Sequence, residues 1–295
     1  IENLKLLADY TISNYYSEIQ TEGKEKYIQF FKNVAEKTRE MIVHWQRVGF
    51  VHGVMNTDNM SIHGITIDYG PYGWLEDYNP NWTPNTTDAE GKRYRFGNQA
   101  NIALWNLYQL ANALYPLIEE AEPLETILNN FAKKYDEDFS EMMLKKLGIT
   151  SKNEENDKLI QQLLYNLEQT ETDFTIFFRN LNQINTADSV EECVSKINFA
   201  FYKPEEVTGI ILETWHFWFA QYLSILKEET ASDDERKLQL NSVNPKYVLR
   251  NYMAQTAIEL AEKEDYSLID ELYTLLLNPY DEQPEFEKWF AKRPD

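Results

Sequence analysis

His52-Gly53-Val54-Met55-Asn56-Thr57-Asp58-Asn59, followed by Asp68-Tyr69-Gly70, is the stretch that decides how this chain is read. It places an amide oxygen at Asn59 and a carboxylate at Asp68 on either side of a short apolar segment. Such hard oxygen donors suit Mg²⁺, with Mn²⁺ as the alternative, and Mg²⁺ binds nucleotide phosphates through one or two protein groups. The β-branched residues Ile62, Ile65 and Ile67 around Gly64 predict a small hairpin with strands at 59–63 and 65–69. The amide and the carboxylate would then stand at opposite ends of that hairpin.

Protein kinases carry H-R-D-L-x-x-x-N followed by D-F-G. On that template His52 takes the His position, Asn59 the metal-binding Asn position and Asp68-Tyr69-Gly70 the D-F-G position. The position of the kinase base is Val54, which cannot accept a proton, so the pattern is that of a pseudokinase. Asp58, beside Asn59, offers another carboxylate, and an ordinary ionised aspartate can take a proton from a hydroxyl. His52 reads as a structural anchor for this loop. The kinase pattern taken alone leaves Asp58-Asn59 equally readable as turn formers.

The longer strings narrow the choice. Residues 48–61 (VGFVHGVMNTDNMS) and Thr66-Ile67-Asp68-Tyr69-Gly70-Pro71 resemble the selenoprotein O (SelO) family. The resemblance continues through 96–99 and 103–107 and returns at 244–252 (NPKYVLRNY) and 279–284 (PYDEQP). The middle, about 119–233, matches loosely. The resemblance implies a mainly α fold: a protein-kinase-like C-terminal lobe with a small β-hairpin at the metal site, plus additional C-terminal helices. It also implies transfer of AMP from ATP to Ser, Thr or Tyr hydroxyls of protein substrates, with the nucleotide flipped in its cleft. Carried over residue by residue, Asp58 is the proton acceptor, Asn59 and Asp68 are the metal ligands, and Asp68 also contacts the nucleotide.

The chain departs from the family pattern in two places. It has no G-x-G-x-x-G loop and no V-A-I-K-like strand, which kinase-like enzymes use to hold phosphates. The expectation is therefore that the nucleotide-binding N-terminal lobe and the family's C-terminal cysteine region are absent, and that the chain binds ATP poorly by itself. A catalytically inactive scaffold and a conventional protein kinase are the competing functions.

A net charge of −21 would repel nucleic acid and an anionic membrane surface alike. Cys193 is the only cysteine, which excludes an internal disulfide and points to a reducing compartment. A bacterial cytoplasm is expected, with a mitochondrial origin as the alternative. Helical stripes predict helices over 27–48 and about 103–116, short helical pieces between 119 and 188, and an aromatic helix over 207–226. Gly49 should end the first of these. Residues 70–98 read as a long ordered loop, in which Glu76 and Asp77 are read as solvated acids in preference to metal groups, and Arg93 and Arg95 either meet phosphate or an acceptor protein or form surface salt bridges. Asp233–Arg236 reads as a solvated charge run. Asn244-Pro245 predicts a helix start running to about Lys263. No linker is evident, so 1–295 reads as a single unit.

Overall fold

The computed structural model describes residues 1–294. Its longest amphipathic stripe forms as expected: α2 runs Lys24–Val48, following α1 at Glu2–Tyr15. Gly49 ends α2 with φ +73°, a conformation that glycine adopts without penalty. Two short strands follow, β1 (Phe50–Val51) and β2 (Gly73–Trp74), paired antiparallel with Phe50 opposite Trp74 and Val51 opposite Gly73. Residues 52–72 leave the end of β1 and return to the start of β2.

The rest is helical: α3 (Gln99–Ile118), α4 (Glu122–Leu147), α5 (Glu154–Gln169), α6 (Phe174–Asn180), α7 (Val190–Ile197), α8 (Gly209–Glu228), α9 (Asp233–Val243), α10 (Asn251–Ala261) and α11 (Ser267–Leu277). No helix among the described residues is long and apolar enough to cross a membrane. The chain gathers into two compact units built from interleaved segments. The first comprises Ile1–Trp45, His52–Tyr72 and Thr83–Phe139. The second comprises Gln46–Val51, Gly73–Trp82 and the chain from Ser140 onward.

In the first unit, Phe31, Val34 and Ile42 of α2 and Ile102, Ala103, Leu107 and Leu114 of α3 are buried. In the second, α8 packs against α5 and α7. Its Trp215, Trp218, Phe219 and Tyr222 are fully buried, and each large apolar side chain so buried stabilises by roughly 1.5–3 kcal/mol. The Tyr222 hydroxyl donates to the Leu147 carbonyl at 2.7 Å and the Trp218 indole to that of Leu159 at 3.0 Å, so neither polar tip is left unmade.

Four sequence expectations change. The hairpin over 59–69 does not form. The Ile62 carbonyl accepts from the Tyr16 hydroxyl and the Ile67 carbonyl from His52, so groups a ladder would need are bound to side chains instead. The two-stranded pairing lies outside that segment, at β1 and β2. Between 119 and 188 the helical pieces are not all short, because α4 continues unbroken for 26 residues. Asp233–Arg236 is the first turn of α9, closed by a capping box between Ser232 and Glu235. Its Arg236 is buried and donates to the Ile184 carbonyl.

The helix expected from Asn244 begins instead at Asn251. The Asn244 side chain is occupied by the carbonyl and ammonium of Lys146, both at 2.9 Å. The N–H groups of Lys246 and Tyr247 donate to the Pro279 carbonyl at 2.8 and 3.1 Å, so they are not free to be capped.

Candidate functional site

Within the first unit, the backbone from His52 to Asn56 is held almost group by group. His52 is 1% exposed, and its ring stacks on Trp45 with centroids 5.5 Å apart. Its Nε2 lies 2.8 Å from the Ile67 carbonyl; a carbonyl can only accept, so that nitrogen carries the proton. Its backbone N–H donates to Gln99 Oε1 at 3.1 Å. Trp45 Nε1 donates to Thr66 Oγ1 at 2.9 Å, which ties down the residue before Ile67. His52 is thus a strut between the start of this loop and the approach to Asp68, as an anchor should be.

Gly53 has φ +81°, and a Cβ there would stand 2.3 Å from the Pro71 carbonyl oxygen. Only glycine lets the backbone after His52 pass so close to the backbone after Asp68. The Gly53 carbonyl accepts from Asn85 Nδ2 and the Met55 carbonyl from Asn106 Nδ2, both at 3.0 Å. Asn56 Oδ1 accepts from the Tyr94 hydroxyl at 2.5 Å. The long loop and the first half of α3 therefore supply the clamp on 52–56. Asn85, Tyr94, Gln99 and Asn106 were not singled out from sequence. The available signal was three side-chain amides, Asn85, Gln99 and Asn106, in otherwise apolar or turn-rich surroundings, and all three are buried.

On this clamped backbone, Thr57–Asn59 form one 3₁₀ turn. Asn59 Nδ2 donates to the Val54 carbonyl at 3.0 Å, which fixes the amide and turns its oxygen away from that bond. Asp58 is exposed on the same turn. Asp68 is also exposed and has φ +55°, a left-handed conformation that Asp tolerates better than most residues. Its carbonyl accepts from Gly70 N–H at 2.8 Å, closing a tight turn. Strain of this kind concentrates at functional sites. Among the described residues, no hydrogen bond or ion pair engages the carboxylates of Asp58 and Asp68 or Asn59 Oδ1. The side-chain oxygens of Asp58, Asn59 and Asp68 are thus without a partner among the described residues, and the Asn59 amide is the one of the three that a hydrogen bond fixes.

These donors are all oxygen, which fits Mg²⁺ or Mn²⁺ and not a soft metal. No group of three or more His, Cys, Asp or Glu side chains that could hold a metal occurs among the described residues. Any ion at Asn59 and Asp68 would then need further oxygens from phosphate and water.

The flanking charges differ from expectation. Glu76 and Asp77 are not solvated acids. Glu76 is paired with Arg250 of the second unit, which also binds Asp173 at 2.7 Å, and Asp77 is paired with Arg293 at 2.6 Å. Burial pushes the Glu76 carboxyl above its ordinary range against the pull of Arg250. In the first unit Arg93 lies over the Trp105 ring at 4.8 Å, and Arg95 donates to the Lys92 carbonyl at 3.0 Å. Neither forms an ion pair among the described residues.

Residues 1–277 match the family described as protein adenylyltransferase SelO. A protein nucleotidyltransferase YdiU of Flavobacterium johnsoniae is 64% identical over 295 residues, which is 100% of this chain and 56% of that protein. The protein of the same name from Aromatoleum aromaticum is 47% identical over 99% of this chain and 55% of its own length. That of Rhodopirellula baltica is 45% identical over 100% of this chain and 57% of its own. The chain spans a little over half the length of these relatives.

Proposed function

The chain belongs to the SelO family, and from that premise we propose that it carries the catalytic turn of a protein adenylyltransferase. The substrates are ATP and a Ser, Thr or Tyr hydroxyl on a protein. The fold is read as a kinase-like C-terminal lobe with further helices after it. Asn59 Oδ1 and the Asp68 carboxylate would hold Mg²⁺, or Mn²⁺, which when bound offsets the negative charge of the phosphates. Asp68 also faces the nucleotide.

Asp58 takes the proton as the acceptor oxygen bonds to the α-phosphorus. The bond from that phosphorus to the oxygen bridging the α- and β-phosphates breaks, and pyrophosphate leaves. His52 and the clamp from Asn85, Tyr94, Gln99 and Asn106 hold the turn so that little reorganisation accompanies the step. Val54, half-buried at the kinase base position, takes no part in proton transfer.

The observation that supports this reading best is the pairing of an unengaged Asp58 with Asn59 on one clamped turn, next to a valine where a kinase needs its base. The test is transfer from ATP labelled at the α- or the γ-phosphate, using the whole natural polypeptide that carries this chain. Label should reach protein from the α position only, and Asp58→Ala should lower that transfer by about 10²–10⁴-fold. Label from γ would indicate a kinase, and label from neither a scaffold; both outcomes reject the proposal.

A further inference from the structure

Helix α11, in the second unit, is apolar on both sides. Its inner face, Leu268, Leu272 and Leu275, is buried with Met253 and Ala257 of α10 in a small core of their own. The segment after α11 turns back onto this core, where Phe286, Trp289 and Phe290 pack. The outer face carries Tyr266, Ile269, Tyr273 and Leu277, which are between 45% and 67% exposed. Their spacing of three, four and four residues places them on one stripe, about 17 Å long.

A helix at the surface of a globular protein turns polar side chains outward, and one that is apolar all round is covered all round. Single exposed apolar side chains are ordinary, but a contiguous apolar stripe marks an interaction site. Two of these four residues are tyrosines, a residue type enriched at interfaces.

The charge around the stripe selects what can cover it. Between residues 258 and 277, Glu259, Glu262, Glu264, Asp265 and Asp270 are exposed acids, and Lys263 is the exposed base. Among the described residues none of these five acids forms an ion pair, whereas Glu271, on the flank of α11, is paired with Lys288 at 2.7 Å. A second copy of this face would set the carboxylates against their own kind, and an anionic lipid surface would be repelled in the same way. A partner with Lys or Arg beside its own apolar stripe gains on both counts.

We infer that the outer face of α11 is a docking surface for a basic amphipathic helix of another protein. Apolar residues at i, i+3, i+4 and i+7 of that helix cover Ile269, Tyr273 and Leu277, and its flanking lysines or arginines meet Asp270 and the acidic turn at 262–265. The inference rests on the second unit and not on adenylyl transfer. Binding is read without nucleotide, so its failure leaves the proposed chemistry standing.

The probe is a fluorescein-labelled peptide of about 18 leucines and lysines, with the leucines at that helical spacing. It is titrated into the whole natural polypeptide at about 0.15 M salt and followed by anisotropy. Saturable binding is expected, at least about tenfold tighter than for the peptide with glutamate in place of lysine or for one of the same composition in scrambled order. Tyr273→Ser combined with Leu277→Ser should weaken binding by about tenfold or more, and both side chains are exposed, so the fold should persist. Tyr273→Lys alone, which sets a like charge against the peptide, should do the same. Ile210→Ser combined with Phe217→Ser, at exposed positions on α8, should leave binding unchanged. Absence of saturable binding, as when another part of the natural polypeptide covers this face, overturns the inference. So do equal affinity for the three peptides, binding that survives the α11 substitutions, and self-association in sedimentation that those substitutions abolish.

Discussion

At the scale of single residues, the site depends on backbone conformations that few side chains allow. Gly53 combines φ +81° with a neighbour, the Pro71 carbonyl, at 2.3 Å from where a Cβ would stand. The left-handed conformation alone costs an L-residue roughly 1–2 kcal/mol, and the clash forces a backbone shift on top of it. Gly53→Ala is therefore expected to lower stability by about 2–4 kcal/mol in urea unfolding. A loss under about 0.5 kcal/mol, the ordinary surface range, would show that the two backbone segments do not pass as closely as described. Asp68 carries the complementary strain with a side chain present. The proposed site residues Asp58, Asn59 and Asp68 were recognisable as candidates in the sequence, because hard-oxygen chemistry restricts the choice to a few side chains. Their clamp was not, since an asparagine that holds a distant carbonyl looks the same in sequence as one that caps a turn.

At the scale of elements, hydrophobic period predicted α2, α3 and α8 well, because each buries an apolar face that recurs at helical spacing. The predicted hairpin failed for a different reason. Ile62, Ile65 and Ile67 have strand-like side chains, yet backbone pairing is decided by who supplies the partner, and here Tyr16 and His52 supply it. The helix predicted at Asn244 failed in the same way, with Lys146 and the Pro279 carbonyl occupying the groups a cap would use.

The segment after α11 is fastened to the second unit by Glu282, which accepts from Arg179 at 2.7 Å and Lys246 at 2.6 Å. Partial burial raises the affinity of this carboxyl for protons, but hydrogen bonds from Lys246 and Arg179 outweigh it and hold the carboxyl below its usual range. The folded state then binds fewer protons than the unfolded one, so the stabilisation is present above about pH 4.5 and fades as pH falls further. Glu282→Gln should cost about 0.5–1 kcal/mol at pH 7, because the side chain is largely exposed, and the gap from the parent should narrow below about pH 4.5. A gap that widens on acidification would contradict the assignment.

At the scale of the whole molecule, composition excluded partners more readily than it named them. A chain with 49 acidic and 28 basic residues does not attract a polyphosphate by its overall field, so the proposed function leans on the proposed divalent cation and on local donors. The interleaving of two compact units was invisible in the sequence, because no Gly- or Pro-rich linker marks a boundary and the division falls within α2 and α4.

The central claim is that Asn59 and Asp68 share one divalent ion over a bound nucleotide. Anomalous diffraction from crystals of the whole natural polypeptide, with Mn²⁺ and an ATP analogue that cannot be cleaved between the α- and β-phosphates, tests it most directly. The account predicts one ion with Asn59 Oδ1 and an Asp68 carboxylate oxygen both at about 2–2.2 Å, close to the octahedral range of Mg²⁺. An ion bound by neither residue, or the two residues bound to separate ions, would contradict it.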